Sequence, residues 1–258
     1  MRLLALPALN DNYIWALVAA DGTALLVDPG EAAPVLAAAN EGMRPTAILL
    51  THHHHDHIAG TPALRERWPA LSVFAPDDSR IDCATERVTD GSRIDAAGWR
   101  FDVIAVPGHT SSHIAFHVDN GSESLLFCGD TLFSLGCGRL FEGSAAQMHR
   151  SLSRLAALPD ATRVCCGHEY TLSNAAFARV VDPDNPALRR RTEDAQAMRA
   201  ADRPTLPSTI ADERACNPFL RCEQPAVIAA VTARLGHAPA DPVATFAELR
   251  RWKDGFRA

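Results

Sequence analysis

The chain has 258 residues, of which 47% are hydrophobic and 22% are charged, so it can bury a sizeable core and has the composition of a globular protein. The net charge of −6 argues against a general affinity for nucleic acid or for an anionic membrane surface. It leaves room for a local basic pocket that holds a small anion.

The first two-thirds of the chain alternates short apolar runs with helical segments. An Asp21-Gly22 turn signal joins the apolar runs 13–18 and 24–27 into a predicted hairpin. Gly42 ends a predicted helix over residues 31–41. A second helix is predicted near 62–68, and a third runs from the capping-box pattern Ser144-x-x-Gln147 to about 158. The predicted strands are 13–18, 24–27, 47–50, 71–74, 100–106, 113–118, 125–128 and 163–166. This alternation is typical of an α/β domain.

Beyond about residue 171 the strand signals fade. Helices are predicted over 173–181, 187–201, 224–235 and 242–255, and proline-containing segments at 182–186 and 203–207 separate the first three of them. We therefore predict two domains, an α/β domain over 1–170 and a smaller helical domain over 171–258.

A run of histidines follows the predicted strand 47–50. It reads Thr51-His-His-His-His-Asp56-His57, and five imidazoles with one carboxylate are hard to explain by packing. Neutral imidazole and carboxylate are standard ligands of zinc and neighbouring divalent metals. An expression tag or a weak metal-scavenging tract is the alternative interpretation, but this run is internal, follows a strand and contains Asp56.

Three further candidate ligands each follow a predicted strand and a glycine. They are His109 after Gly108, Asp130 after Gly129 and His168 after Gly167. Glycine permits an unusual backbone turn there, after which the ligand can project from the edge of the sheet.

Seven candidate ligands are too many for one tetrahedral ion and suit two. They are His52, His54, Asp56, His57, His109, Asp130 and His168. A carboxylate can bridge two ions in a hydrolytic pair. His52 and His54 alternate along an extended segment and point the same way, whereas Asp56 and His57 lie past the turn and can face a second ion.

The pattern HxHxDH followed by a separate His, Asp and His resembles the metallo-β-lactamase superfamily. Within it, the chain resembles the glyoxalase II family, the hydroxyacylglutathione hydrolases, over nearly its full length. The stretches that carry this resemblance are 12–13, 129–133, 136–139, Gly143, 166–171, 207–209, 217–221 and 250–256. The ligand motif alone is specific only for a dinuclear hydrolase fold. The GCGR, GHEYT and C-terminal basic stretches narrow the resemblance to the glyoxalase II family.

The resemblance implies an αββα sandwich with the metals at one sheet edge, followed by a smaller helical domain that helps to bind glutathione. It assigns the seven ligands to two metals: His52, His54 and His109 to one, Asp56, His57 and His168 to the other, and Asp130 to both. The expected cofactor is two divalent ions per chain, zinc in the first place, with iron or manganese as alternatives.

The resemblance also implies a set of residues that hold the glutathione moiety: Arg139, Phe141, Tyr170, Arg250 and Lys253. Arg250 and Lys253 are three apart, so on a helix they share a face that can hold a small carboxylate. The chain departs from the family in having Phe141 where tyrosine is common, which removes a hydroxyl contact, and Arg139 where lysine is common.

The expected reaction is hydrolysis of S-(2-hydroxyacyl)glutathione thioesters, typically S-D-lactoylglutathione, by a hydroxide that bridges the two metals. Asp56 and Asp130 are the expected catalytic carboxylates because they hold this centre. The leaving thiol has a pKa of about 8.5, so no separate general acid is required. Asp28 is interpreted either as a partner of a metal ligand or as a turn residue, and the first interpretation predicts that Asp28→Ala lowers the metal content.

Other hydrolases on the same metal site remain alternatives, namely a lactonase, a β-lactamase or a different thioesterase. A ribonuclease of the superfamily is disfavoured by the acidic balance, and a flavodiiron-type redox protein by the lack of a flavin domain.

His53, His55, His113 and His117 are interpreted as packing or supporting residues, and Cys137 as a packed thiol.

The expected setting is cytoplasmic. Seven scattered cysteines without CxxC spacing fit reduced thiols better than a disulfide framework, and the apolar stretch at residues 3–6 is too short for the core of a signal peptide. We expect a monomer that acts on a small-molecule substrate, with no nucleic-acid or membrane partner.

Overall fold

The computed structural model describes residues 1–257; Ala258, the last residue of the predicted helical domain, lies outside the described residues. The strands are β1 (Arg2–Ala8), β2 (Asn12–Val18), β3 (Thr23–Val27), β4 (Arg44–Leu49), β5 (Ser72–Pro76), β6 (Glu86–Val88), β7 (Arg93–Ala96), β8 (Trp99–Ala105), β9 (Ile114–Asp119), β10 (Ser124–Gly129), β11 (Leu132–Phe133), β12 (Gly136–Cys137), β13 (Arg163–Cys166) and β14 (Ser208–Thr209). The helices are α1 (Ala33–Asn40), α2 (His55–Ile58), α3 (Thr61–Arg67), α4 (Ala145–Ala156), α5 (Thr171–Val181), α6 (Pro186–Ala200), α7 (Ile210–Cys216), α8 (Pro225–Leu235) and α9 (Pro242–Asp254), with a 3₁₀ helix at Pro218–Leu220.

The chain forms two compact units that do not follow chain order. The first contains Met1–Ala105, Ser112–Gly129 and Cys165–His168, and the second contains Val106–Ser111, Asp130–Val164 and the residues from Glu169 on. The predicted domain boundary at residue 170 stays a prediction. Among the described residues, no helix is both long and apolar enough to cross a membrane.

The first unit contains a six-stranded sheet in the order β1-β2-β3-β4-β5-β6. Strands β1 to β3 are antiparallel, and β3 to β6 are parallel. One face of this sheet packs into an apolar cluster that includes Ile14, Leu26, Ile48 and Val73. Because β3 and β4 are parallel and pair Val27 with Leu49, the residues that follow the two strands meet at one edge of the sheet.

A second sheet in the first unit has the order β13-β10-β9-β8-β7, with the end of β13 at its edge. Strands β7 to β10 form an antiparallel meander. The start of β13 lies in the second unit, where Arg163 and Val164 pair with β14. Two sheets with flanking helices confirm the predicted α/β class.

The second unit is mainly helical, as predicted for the C-terminal part of the chain. Ser144 and Gln147 form the predicted capping box at the start of α4, and Asn185 and Asp241 cap α6 and α9. Three elements beyond residue 171 were not predicted, namely the two-residue strand β14, helix α7 and the 3₁₀ helix at Pro218–Leu220. A strand of two residues has no periodicity to detect, and α7 has seven residues, too few for a clear helical period.

Candidate metal centre and active site

Asp28 directly follows β3, and it adopts a left-handed backbone conformation with φ of +51°. Its carboxylate accepts the Thr51 N–H at 2.8 Å and the Thr51 hydroxyl at 2.7 Å, and it lies 3.0 Å from His57 Nδ1. A carboxylate accepts but does not donate, so Nδ1 carries the proton and Nε2 keeps its lone pair. Asp28 therefore orients a candidate ligand, which is the first of the two interpretations of the sequence.

Asp56, His57 and His168 bring three ligand-type atoms within 4.8 Å of one another. Asp56 Oδ2 lies 3.5 Å from His57 Nε2 and 3.4 Å from His168 Nε2. The histidine segment is not wholly a loop, because His55–Ile58 form the short helix α2. Gly30 lies against this helix, and a Cβ on Gly30 would come 1.9 Å from the Asp56 carbonyl oxygen.

Asp11 and Asn12 support this group although they were not among the predicted site residues. Asp11 Oδ1 lies 2.8 Å from His168 Nδ1, so His168 has the same orientation as His57, with Nε2 turned towards Asp56. The Asn12 amide donates to Asp56 Oδ2 at 3.1 Å and to the Asp56 carbonyl oxygen at 3.2 Å. A bridge between Asn12 and His168 explains the proximity, and the local signal in the sequence is a polar pair at the start of β2.

His52 and His54 lie on the same side of the segment, as the alternation predicted. His52 Nε2 is 3.0 Å from His54 Nδ1, and His52 Nδ1 is 3.0 Å from the Thr51 hydroxyl. The buried ring of His113 stacks on His52 with 4.5 Å between the ring centroids. Gly129 leaves space for both Thr51 and His113, because a Cβ there would lie 2.3 Å from the Thr51 hydroxyl and 3.0 Å from His113 Cε1.

His109 and Asp130 both lie in the second unit. His109 Nε2 is 3.5 Å from Asp130 Oδ2, and His109 Nδ1 is 2.9 Å from the Arg139 carbonyl oxygen. That carbonyl can only accept, so His109 is again protonated on Nδ1. Gly138 lies so close that a Cβ there would be 1.9 Å from the Asp130 carbonyl oxygen.

The donor set fits a divalent metal ion. Three histidines have Nδ1 bound to a carboxylate or a carbonyl oxygen and Nε2 near an aspartate, and this supporting shell is typical of metal-binding histidines. The Asp56, His57 and His168 cluster is therefore able to bind a divalent metal.

A basic cluster lies in the second unit at the end of α9. Arg250 is buried and donates to the Cys137 carbonyl oxygen at 2.8 Å, and it pairs with Asp254 at 2.9 Å. Lys253 Nζ donates to the Ser173 carbonyl oxygen at 3.0 Å. Burial lowers the pKa of Lys253 to about 8, with contributions from the Arg250 and Arg139 guanidinium groups.

Two aromatic side chains of the predicted substrate set also lie in the second unit. Phe141 is 63% exposed, and its ring centroid is 5.2 Å from that of His109. Tyr170 precedes α5 and packs edge-on against Phe133.

Among the described residues, the groups of metal-type donor atoms do not include His53, His55, His117 or Cys137. His53 lies 3.5 Å from the Asp78 carboxylate, His117 is hydrogen-bonded to Ser124, and His55 is exposed. Burial raises the pKa of the Cys137 thiol to about 11, which disfavours the reactive thiolate.

The sequence model of the metallo-beta-lactamase superfamily matches residues 12–168, which include all the candidate metal ligands. Among solved structures, the chain is similar to the B3 metallo-beta-lactamase BLEG-1, with a TM-score of 0.64 at 24% identity over 85% of this chain and 99% of that one. It is also similar to ETHE1 from Myxococcus xanthus, with a TM-score of 0.58 at 30% identity over 84% of this chain and 99% of that one. The chain is thus a metallo-β-lactamase-fold protein, and the predicted fold class is confirmed.

A second sequence model, the C-terminus of hydroxyacylglutathione hydrolase, matches residues 169–256. The hydroxyacylglutathione hydrolase of Xanthomonas axonopodis pv. citri is 61% identical over the full length of both chains. That of Xylella fastidiosa is 57% identical over 99% of this chain and 98% of its own. The chain belongs to the hydroxyacylglutathione hydrolase family and is an enzyme, as the resemblance implied.

Proposed function

We propose that this enzyme hydrolyses S-(2-hydroxyacyl)glutathione thioesters, with S-D-lactoylglutathione as the typical substrate and D-lactate and glutathione as the products. This is the hydrolytic step of methylglyoxal detoxification. The observation that carries the proposal is the match of residues 169–256 to the C-terminal part of hydroxyacylglutathione hydrolases, because this segment contains the basic cluster and distinguishes the chain from other hydrolases of the superfamily.

The proposed cofactor is two divalent metal ions. His52, His54 and His109 would hold one ion, Asp56, His57 and His168 the other, and Asp130 both. The proximity of the Asp56, His57 and His168 donor atoms supports the second set. Zinc suits imidazole and carboxylate ligands, and iron and manganese are the alternatives.

When bound, the ions would lower the pKa of water so that hydroxide is available at neutral pH. The protein's contribution is to hold Asp56 and Asp130, the proposed catalytic carboxylates, in fixed positions. Asp28 and Asp11 orient His57 and His168 through their Nδ1 protons. The glutathione thiolate is a good leaving group, since an unperturbed thiol has a pKa of about 8.5.

Residues 171–258 form the proposed glutathione-binding domain. Arg250 and Lys253 would bind the glycine carboxylate of glutathione together with Arg139, and Tyr170 and Phe141 would contact its peptide part. Burial lowers the pKa of Lys253 most, and the Arg250 and Arg139 guanidinium groups lower it further; a bound carboxylate would relieve the repulsion between these cations.

We further propose that the enzyme acts as a cytoplasmic monomer on this small-molecule substrate, with no nucleic-acid or membrane partner. The seven cysteines are free and buried, which fits a reducing compartment.

The test is hydrolysis of S-D-lactoylglutathione by the purified protein, with the metal content of the same sample measured by mass spectrometry. Turnover with about two metals per chain supports the proposal. A metal-loaded protein that cleaves a lactone or a β-lactam but not the glutathione thioester would overturn it.

A further inference from the structure

A short hairpin connects Asp130 to Arg139 in the second unit. It consists of β11, a turn made of Ser134 and Leu135, and β12. Its base is closed by the Gly138 N–H, which donates to the Thr131 carbonyl oxygen at 3.1 Å. Because the hairpin joins a candidate metal ligand to the carbonyl that orients His109, its position sets the geometry of both.

The turn of this hairpin has a conformation that leucine disfavours. Leu135 has a φ of +61°, in the left-handed region that is uncommon for residues other than glycine. Its side chain is fully buried and packs against residues of three helices, Ala175, Ala178, Leu188 and Cys216. Its N–H donates to Glu213 Oε2 at 2.8 Å. A disfavoured backbone persists only where its surroundings fix it, and here the surroundings are α5, α6 and α7.

Helix α7 contributes two buried polar side chains to the hairpin. The Asn217 amide, at the end of this helix, donates to the Phe133 carbonyl oxygen at 3.1 Å, to the Gly136 carbonyl oxygen at 2.9 Å and to Glu213 Oε2 at 3.1 Å. Glu213 is one turn earlier, so the two side chains share a face of the helix. A fully buried carboxylate is costly unless it is hydrogen-bonded, and both of these groups are used to bind the hairpin backbone.

Helix α5 adds a third contact through Asn174. Its amide donates to the Ser134 carbonyl oxygen at 3.0 Å and lies against Gly136, where a Cβ would be 2.5 Å from Asn174 Nδ2. The carbonyl oxygens of Phe133, Ser134 and Gly136 and the amide of Leu135 are therefore all bound by side chains of α5, of α7 and of the residue that follows α7.

We infer that Asn174, Glu213 and Asn217 are positioning residues of the metal centre, which fix the 132–137 hairpin and through it Asp130 and the carbonyl that orients His109. In this inference they act through the backbone of the hairpin, to which their side chains are hydrogen-bonded. The inference rests on the proposed function in that it takes Asp130 and His109 as metal ligands.

The experiment compares Glu213→Met with Glu213→Gln. Methionine keeps the volume but offers the Leu135 N–H only a thioether sulfur, which is a weak acceptor, whereas glutamine keeps an oxygen that can accept it. Val231→Ala is the matched control, because Val231 is fully buried in α8 of the same unit and its loss destabilises the fold by packing alone. Each variant is assayed for kcat and KM, for metal retained against a chelator, and for hydrogen exchange of residues 130–139 in the metal-free protein.

The expected result for Glu213→Met is a fall in kcat and in metal affinity of about tenfold or more, with KM changed less than about twofold. Exchange at 130–139 becomes faster, Glu213→Gln restores most of each property, and Val231→Ala changes none of them. If Glu213→Met does not fold, Asn174→Ala replaces it, with the same expectations. A folded Glu213→Met or Asn174→Ala protein that matches Val231→Ala in metal retention and exchange would overturn the inference.

Failure of the proposed function has a different signature. A metal-loaded wild-type protein without thioesterase activity would contradict the function, while metal retention and hydrogen exchange would still decide whether the hairpin contacts position the centre.

Discussion

Replacement of Asp28 by asparagine is a sharp test of the candidate metal centre. Asparagine tolerates the left-handed backbone at this position, and its carbonyl oxygen can still accept the Thr51 N–H that Asp28 now accepts at 2.8 Å. Its NH₂ group replaces the oxygen that faces His57 Nδ1 at 3.0 Å. Two donors would then face each other, and His57 would have to move its proton to Nε2, the nitrogen on the Asp56 side.

The expected magnitude follows from the role of such supporting contacts. Loss of a partner that orients a ligand costs about 10- to 100-fold in metal affinity, which is about 1.4 to 2.8 kcal/mol at about 1.4 kcal/mol per factor of ten. Asp28→Ala should lower the metal affinity by at least the same factor, because alanine in a left-handed conformation adds about 1 to 2 kcal/mol of backbone strain.

The assay is competition for metal with a chelator of known affinity, accompanied by thermal unfolding of the metal-free proteins. Asp21→Asn is the control, because it makes the same charge change on an exposed turn where Asp21 binds Thr23. Metal retention by Asp28→Asn equal to that of the wild type and of Asp21→Asn would refute the reasoning and leave Asp28 as a turn residue.

Three further outcomes are expected. Lysine is charged below its pKa, and the pKa of Lys253 is about 8, so the KM for the glutathione thioester should rise as the pH increases from 7 to 9. Lys253→Ala should have a higher KM at pH 7 than the wild type and should lose that pH dependence. A KM of Lys253→Ala equal to that of the wild type would remove Lys253 from the substrate site. Phe141→Tyr should lower KM about fivefold if the added hydroxyl makes one net hydrogen bond of about 1 kcal/mol, with no change in melting temperature because the ring is 63% exposed; an equal or higher KM contradicts the proposed contact. Removal of metal by a chelator should lower the melting temperature and restored zinc should raise it, because an ion that binds only the folded state stabilises it; calorimetry with and without metal checks this.

Part of the candidate site could be predicted from local patterns. The alternation of His52 and His54 predicted that they share a side, and the structure places their ring nitrogens 3.0 Å apart. The capping-box pattern at Ser144 predicted the start of α4. These predictions succeeded because side-chain direction and helix capping depend on neighbours a few residues away.

Contacts between distant parts of the chain could not be predicted in this way. Asp11 and His168 are 157 residues apart, and pairing of the segments around Asn12 and His168 brings them together. Glu213 and Leu135 are 78 residues apart. In the sequence, Glu213 resembles a solvated surface residue, because it lies in the acidic first turn of a short helix. It is buried because the 132–137 hairpin packs against it.

The sequence by itself determined the fold class, the family and the chemical type of the candidate site, because these depend on local patterns. The patterns are the ligand motif, the strand periodicity and the glycines before His109, Asp130 and His168. The tertiary structure alone decided which ring nitrogen of His57, His109 and His168 carries the proton, and which groups hold the ligands in place. Parallel pairing of β3 and β4 brings Asp28 to Thr51 and His57, and packing of α5 and α7 on the hairpin fixes Leu135 in its left-handed conformation. Both depend on long-range packing, which no local pattern records.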